Sequence, residues 1–201
     1  ELQLNDQTTG DQVTPDVTEL TNGDLVLSWT SWHSGTPQVI QKKLTAPSTD
    51  TGYVFNGSAN NEIVSGKNLA DTLNGGDGDD WLSGGAGNDA LSGGNGTDTG
   101  DYSNAGSGGV GVNVNLTTGQ ASGEGNDTLS GVENANGSSF ADALRGDAGN
   151  NTLNGRGGAD AIQGAAGDDR MNGGDGSDEL SGGAGNDRVS GAGGADAVNG
   201  N

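Results

Sequence analysis

Single aliphatic residues recur every nine positions through most of this 201-residue chain. Val64, Leu73, Leu82 and Leu91 form one series; Leu144, Leu153, Ile162, Met171, Leu180, Val189 and Val198 form a second. An inward side chain between two outward neighbours describes a strand of about three residues. The other six residues of each unit open on glycine, at Gly57, Gly66, Gly75, Gly84 and Gly93, then at every ninth residue from Gly137 to Gly200. Such units read as turns. Two units carry the chain full circle, so strands 18 residues apart are expected to stack in parallel as two sheets around a thin aliphatic ladder. From Gly93 to Gly137 is 44 residues, one short of a multiple of nine, so the two arrays are out of phase.

Elsewhere the period changes. Val110, Val112, Val114 and Leu116 alternate with Gly and Asn, which predicts one exposed strand. A half-unit follows at residues 123–130, its Asp127 and Leu129 two apart as in the arrays. Near the start, Asn22-Gly23 signals a turn into a strand over residues 24–30, and a loop at residues 34–37 leads to a second strand over 38–44. Leu2 and Leu4 suggest a third, able to cap the roll or pair with another subunit's edge. No stretch has the spacing of an amphipathic helix. The expected fold is therefore all-β: a small antiparallel β segment (1–56), a first parallel β-roll array (57–101), an interruption (102–136) and a second array (137–201).

Composition sharpens the problem. Glycine accounts for 42 residues and apolar residues for 28%, too little for a conventional core. There is no cysteine, so disulfides cannot compensate. A formal charge of −21 argues against nucleic acid and anionic membrane as partners, and no apolar run is long enough to span a bilayer. The chain opens on Glu1 and stops inside a unit, at Gly200-Asn201, so the natural polypeptide is expected to continue.

The sixth place of each unit supplies the missing stabiliser. It holds Glu62, Asp71, Asp80, Asp89 and Asp98, then Asp142, Asn151, Asp160, Asp169, Asp178, Asp187 and Asp196. One aliphatic per unit cannot offset the entropy of ordering nine backbones, and stacked carboxylates repel. A hard cation between turns removes the repulsion and accepts inward carbonyls as further ligands. Irregular cages of six or more oxygens suit Ca²⁺; Mg²⁺ wants a tighter octahedron, and Zn²⁺ would want His or Cys. Several calcium ions are expected. Their carboxylate ligands would be Asp71, Asp80, Asp89, Asp98, Asp142, Asp160, Asp169, Asp178, Asp187 and Asp196, with third-place Asp77 and Asp175 beside them and Asn151 offering a neutral oxygen. Backbone ligands would come from Gly75, Gly78, Gly84, Gly87, Gly93, Gly155, Gly164, Gly173, Gly176, Gly182 and Gly185. Pairing at 18 residues joins Asp71 to Asp89, Asp80 to Asp98, Asp142 to Asp160, Asp160 to Asp178, Asp169 to Asp187 and Asp178 to Asp196.

Five units match GGxGxD in full, at residues 75–80, 84–89, 93–98, 173–178 and 182–187. They resemble the RTX (hemolysin-type) calcium-binding repeats over about 57–101 and 122–201. The resemblance implies a parallel β-roll, calcium-dependent folding and bacterial export by a type I system. The units opening at Gly146, Gly155, Gly164 and Gly191 lack the second-place glycine, and weaker or missing sites are expected there and at Glu62. His33 has no HExxH or cysteine near it and reads as an ordinary turn residue; Ser28, Ser31 and Ser34 have no GxSxG elbow. No catalytic constellation is visible. The expectation is a secreted calcium-binding structural or interaction module, extracellular or on a bacterial surface, of a surface layer, adhesin or self-assembling fibre. The alternative is the calcium-dependent folding and export tail of a larger secreted enzyme or toxin.

Overall fold

A computed structural model describes residues 52–200 apart from Ser107, together with the backbone of residues 16–19, 25–33 and 36–44. Every regular element in it is a strand. The amino-terminal piece is an antiparallel sheet of β1 (Asp16–Glu19), β2 (Leu25–His33) and β3 (Thr36–Leu44) in that order. The third strand is thus Asp16–Glu19; Leu2 and Leu4 lie outside the described residues. The loop between β2 and β3 is shorter than the sequence suggests, because Thr36 and Pro37 already belong to β3, opposite His33 and Trp32.

The rest is a parallel β-solenoid whose chain alternates between two sheets. The second, seven-stranded sheet takes β5 (Ile63–Ser65), β7 (Trp81–Ser83), β9 (Thr99–Asp101), β13 (Asn134–Asn136), β15 (Thr152–Gly157), β17 (Arg170–Asp175) and β19 (Arg188–Gly193). The first sheet has ten: β4 (Val54–Asn56), β6 (Thr72–Asp77), β8 (Ala90–Asn95), β12 (Asn126–Ser130), β11 (Gln120–Ser122), β10 (Asn113–Asn115), β14 (Ala143–Arg145), β16 (Ala161–Ala166), β18 (Glu179–Ala184) and β20 (Ala197–Asn199). Register between array neighbours is 18 residues, with Leu73 opposite Leu91 and Leu153 opposite Met171. The array strands up to β18 show the exposed–buried–exposed alternation that the nine-residue spacing implies, and Leu73, Leu82 and Leu153 are completely buried, but Val198 in the last strand is exposed because no further described strand covers it.

The two arrays share both sheets and form one roll. In the second sheet β9 pairs β13 directly, in parallel. In the first, β12 continues from β8 and β10 leads into β14, both in parallel, while β11 runs antiparallel between them. The interruption is therefore a hairpin spliced into one sheet. Val112 and Val114 are buried at its centre, against the expectation of an exposed strand; only Val110 is exposed. Strand β10 has pairing partners on both sides, so its inward face closes over the core. Gly100, where the aliphatic ladder lapses, has its missing volume filled: a Cβ there would stand 3.2 Å from Leu129 and 3.6 Å from both Tyr102 and Val132.

Candidate metal centre

The sixth-place side chains are drawn inward by the same alternation that buries the aliphatic two residues on. Asp71, Asp89, Asp160, Asp169 and Asp178 are each 2% exposed, and Asp80 and Asp98 wholly buried. One oxygen of each carboxylate has a fixed partner. The backbone N–H of the sixth-place residue 18 positions earlier donates to it: Asp71 to Asp89 Oδ1 at 2.7 Å, Asp80 to Asp98 at 2.8 Å, Asp142 to Asp160 at 2.8 Å, Asp160 to Asp178 at 2.9 Å, Asp169 to Asp187 at 3.0 Å and Asp178 to Asp196 at 3.1 Å. All six pairs expected from the spacing are brought together.

The ladders also take in two further 18-residue pairs and two residues from the interruption. Glu62 donates its N–H to Asp80 at 2.7 Å, Asp89 to Asp127 at 3.0 Å, Asp98 to Glu133 Oε2 at 2.9 Å and Asn151 to Asp169 at 2.8 Å. The signal for Glu133 was present: it stands nine residues before Asp142 and two before inward-facing Ala135. Asp77 and Asp175 stand apart from the ladders, exposed on the outer face, where Asn95 donates to Asp77 Oδ1 at 2.8 Å. A third set of contacts runs along the fifth place, where Asn150 Oδ1 accepts from Asp168 N–H and Asp168 Oδ1 from Asn186 N–H, each at 2.8 Å.

The second carboxylate oxygen divides the turns into two kinds. In four turns the second-place N–H donates to the sixth-place side chain: Ser58 to Glu62 at 3.3 Å, Lys67 to Asp71 at 2.6 Å, Ser138 to Asp142 at 2.6 Å and Asp147 to Asn151 Oδ1 at 2.8 Å. In the others the second-place residue has a left-handed backbone, as in Gly76 (φ 108°) and Gly174 (φ 107°), and that donor is lost. Among the described residues seven buried oxygens then have no hydrogen-bond partner: Oδ2 of Asp80, Asp89, Asp98, Asp160, Asp169, Asp178 and Asp187. In three of the four units expected to be weak for want of a second-place glycine, the turn keeps the left-handed form. Arg156 (φ 75°), Ala165 (φ 85°) and Ala192 (φ 69°) adopt the same left-handed form. Only the Gly146 and Glu62 units, of those expected to be weak, have their side-chain oxygens satisfied from within.

First-place glycines are needed for a different reason. A Cβ on Gly164 would lie 2.3 Å from Asp169 Oδ2 and 2.5 Å from the Gly182 carbonyl oxygen; on Gly155 it would lie 2.2 Å from Asp160 Oδ2 and 2.6 Å from the Gly173 oxygen. Carboxylate and carbonyl oxygens of adjacent turns therefore converge beside the glycine. Burial, opposed by the donated N–H and reinforced by neighbouring acids, raises the carboxyls of Asp80, Asp89, Asp98 and Asp160 from 3.8 to about 6. Burial likewise raises Asp169. A buried anion with an unused oxygen is costly until something positive meets it.

The donor set fits Ca²⁺. The free atoms are hard oxygens, one carboxylate per turn with a neighbouring carbonyl. No group of three or more His, Cys, Asp or Glu side chains converges among the described residues, so a bound cation would take much of its shell from backbone oxygens. Residues 65–99, 136–171 and 172–201, just over half of the chain, match the model of the RTX calcium-binding nonapeptide repeat in four copies. The chain belongs to that repeat family. Its RTX units are calcium-binding repeats in a β-roll, as their motif and fold imply. No curated protein matches the chain. RTX repeats are typical of secreted or surface proteins. Among the described residues no helix is long and apolar enough to cross a membrane.

Proposed function

We propose that this chain is a secreted structural or interaction module that binds several calcium ions and folds as it binds them. The observation that carries the reading is the row of buried, unpartnered Asp Oδ2 atoms. Before export, in a calcium-poor compartment, a chain of charge −21 repels itself and stays extended. Outside, calcium supplies the positive charge each open turn lacks, and metal binding and folding become one event. The module serves as a unit of a surface layer, adhesin or extracellular fibre, assembling with its own kind, and has no catalytic role. The regular outer faces of the roll and the antiparallel β-unit ahead of it support this reading.

Calcium titration followed by circular dichroism and light scattering tests it. Folding followed by growth into larger particles is the expected result. Folding to a stable monomer would favour the alternative, an export and folding tail of a larger secreted enzyme or toxin. Equal folding in chelator would remove both.

A further inference from the structure

Turns of the two kinds occupy different places in the chain. The four closed by their own second-place N–H open at Gly57, Gly66, Gly137 and Gly146, the first two of each array. The turns that follow them are left-handed at the second place. Between the arrays, the Asp127 turn is also left-handed, at Gly123 (φ 136°), but there the Tyr102 hydroxyl donates to Asp127 Oδ2 at 3.2 Å. The second oxygen of each buried sixth-place side chain is thus served by a backbone N–H, by a tyrosine hydroxyl, or by nothing the protein provides.

We propose that the backbone sign at the second place, rather than glycine there, decides which turns take calcium. Left-handed turns in which no side chain supplies a donor hold the ions, including those at Asp160 and Asp169 that depart from the GGxGxD motif. The turns at Asp71, Asp142 and Asn151 stand closed without one and give each array a calcium-independent start. The proposal rests on the calcium reading above. The physical argument is a competition for one oxygen. A second-place residue with negative φ aims its N–H at Oδ2 and satisfies it. Turning that residue left-handed withdraws the donor and leaves a 2%-exposed anion whose only remaining partner is a cation. Arg156 and Ala165 adopt a conformation that L side chains resist. A conformation costly to the chain persists only where something over-determines it, and a bound ion does that.

Calorimetric titration of the whole chain with CaCl₂, starting from chelator-treated protein, tests the assignment. Asp160→Asn and Asp169→Asn should each lower the stoichiometry by at least one ion. Asp71→Asn and Asp142→Asn should leave it unchanged; each sets an amide against the N–H that Tyr53 or Val112 donates to Oδ1, so the loss falls on stability and not on the number of ions bound. Loss in Asp178→Asn but not in Asp160→Asn or Asp169→Asn would overturn the proposal, as would equal loss in all five. Ala165→Gly and Arg156→Gly guard against variants that fail to fold. They relieve left-handed strain, so the calcium midpoint for folding should fall about two- to fivefold. Lys67→Gly, in a closed turn, should raise it. A midpoint that rises in Ala165→Gly contradicts the proposal. A wild-type chain that takes up no calcium overturns the calcium reading itself, and is told apart because every variant would then be equally silent.

Discussion

The junction at residues 102–136 and the array at residues 155–190 bury the same carboxylate in different surroundings. At the junction Asp127 receives the Asp89 N–H on one oxygen and the Tyr102 hydroxyl on the other. Burial raises both groups, and Asp127 raises Tyr102 further, so the phenol keeps its proton and remains a donor. In the array, Asp160, Asp169 and Asp178 receive only the first of these bonds. The junction can afford a bulky donor because it also has the apolar mass to seat it: Tyr102, Val112, Val114, Leu129 and Val132 are all buried there. The array has one aliphatic per nine-residue unit, and at its first-place glycines even a Cβ would overlap the carboxylate. Where a fold is too thin to carry its own donor, it leaves the charge to be neutralised from solution.

Four measurements would break or sharpen that contrast. Calcium removal at neutral pH should have the largest effect. The array's β signal in circular dichroism should disappear, and retention of full β-structure in chelator would end the contrast. Leu153→Ala, in the wholly buried ladder of the second array, should cost about 2–5 kcal/mol even in saturating calcium, read from thermal unfolding. A cost no larger than that of a surface substitution would show that ions alone hold the turns.

Tyr102→Phe should cost about 1–3 kcal/mol, because it strands Asp127 Oδ2, and should do so equally at low and high calcium. Dependence on calcium would mean that the junction, too, relies on an ion. The fourth measurement varies pH in chelator. With folded-state carboxyls near 6 against an ordinary 3.8, the folded chain holds protons that the unfolded chain releases between those values. Stability without calcium is therefore greatest below about pH 4 and declines as pH rises through about 6. Acidifying from 7 should recover part of the β signal, and no recovery would argue that like-charge burial is not what keeps the metal-free chain open.

Much of this was legible before any coordinates. Leu73, Leu91 and Leu180 announce their burial by spacing alone, and the six 18-residue carboxylate pairs follow from counting. What counting missed has physical causes. Val112 and Val114 alternate as an exposed strand would, and nothing local reveals that β10 has neighbours on both sides. Gly100 looks like a flaw until Tyr102 and Val132, remote in the periodic frame, are seen to fill its place. Arg156 and Ala165 break the motif yet keep its left-handed angle, because residue type is only a proxy for backbone conformation. The split between closed and open turns lies in the direction of one N–H, which no residue identity encodes by itself.

The hairpin at the junction carries a lesson about parity. Strands β10 and β11 add two members to one sheet, and two reversals of direction restore the original heading. That is why β14 can run the same way as β8, and why the second array repeats the polarity of the first. An insertion contributing an odd number of antiparallel strands would leave everything downstream running backwards, with its carboxylates at the wrong rim. Excursions of an even count are topologically neutral, so this seam is a place where such a solenoid could gain or shed a decoration and still close its next rung.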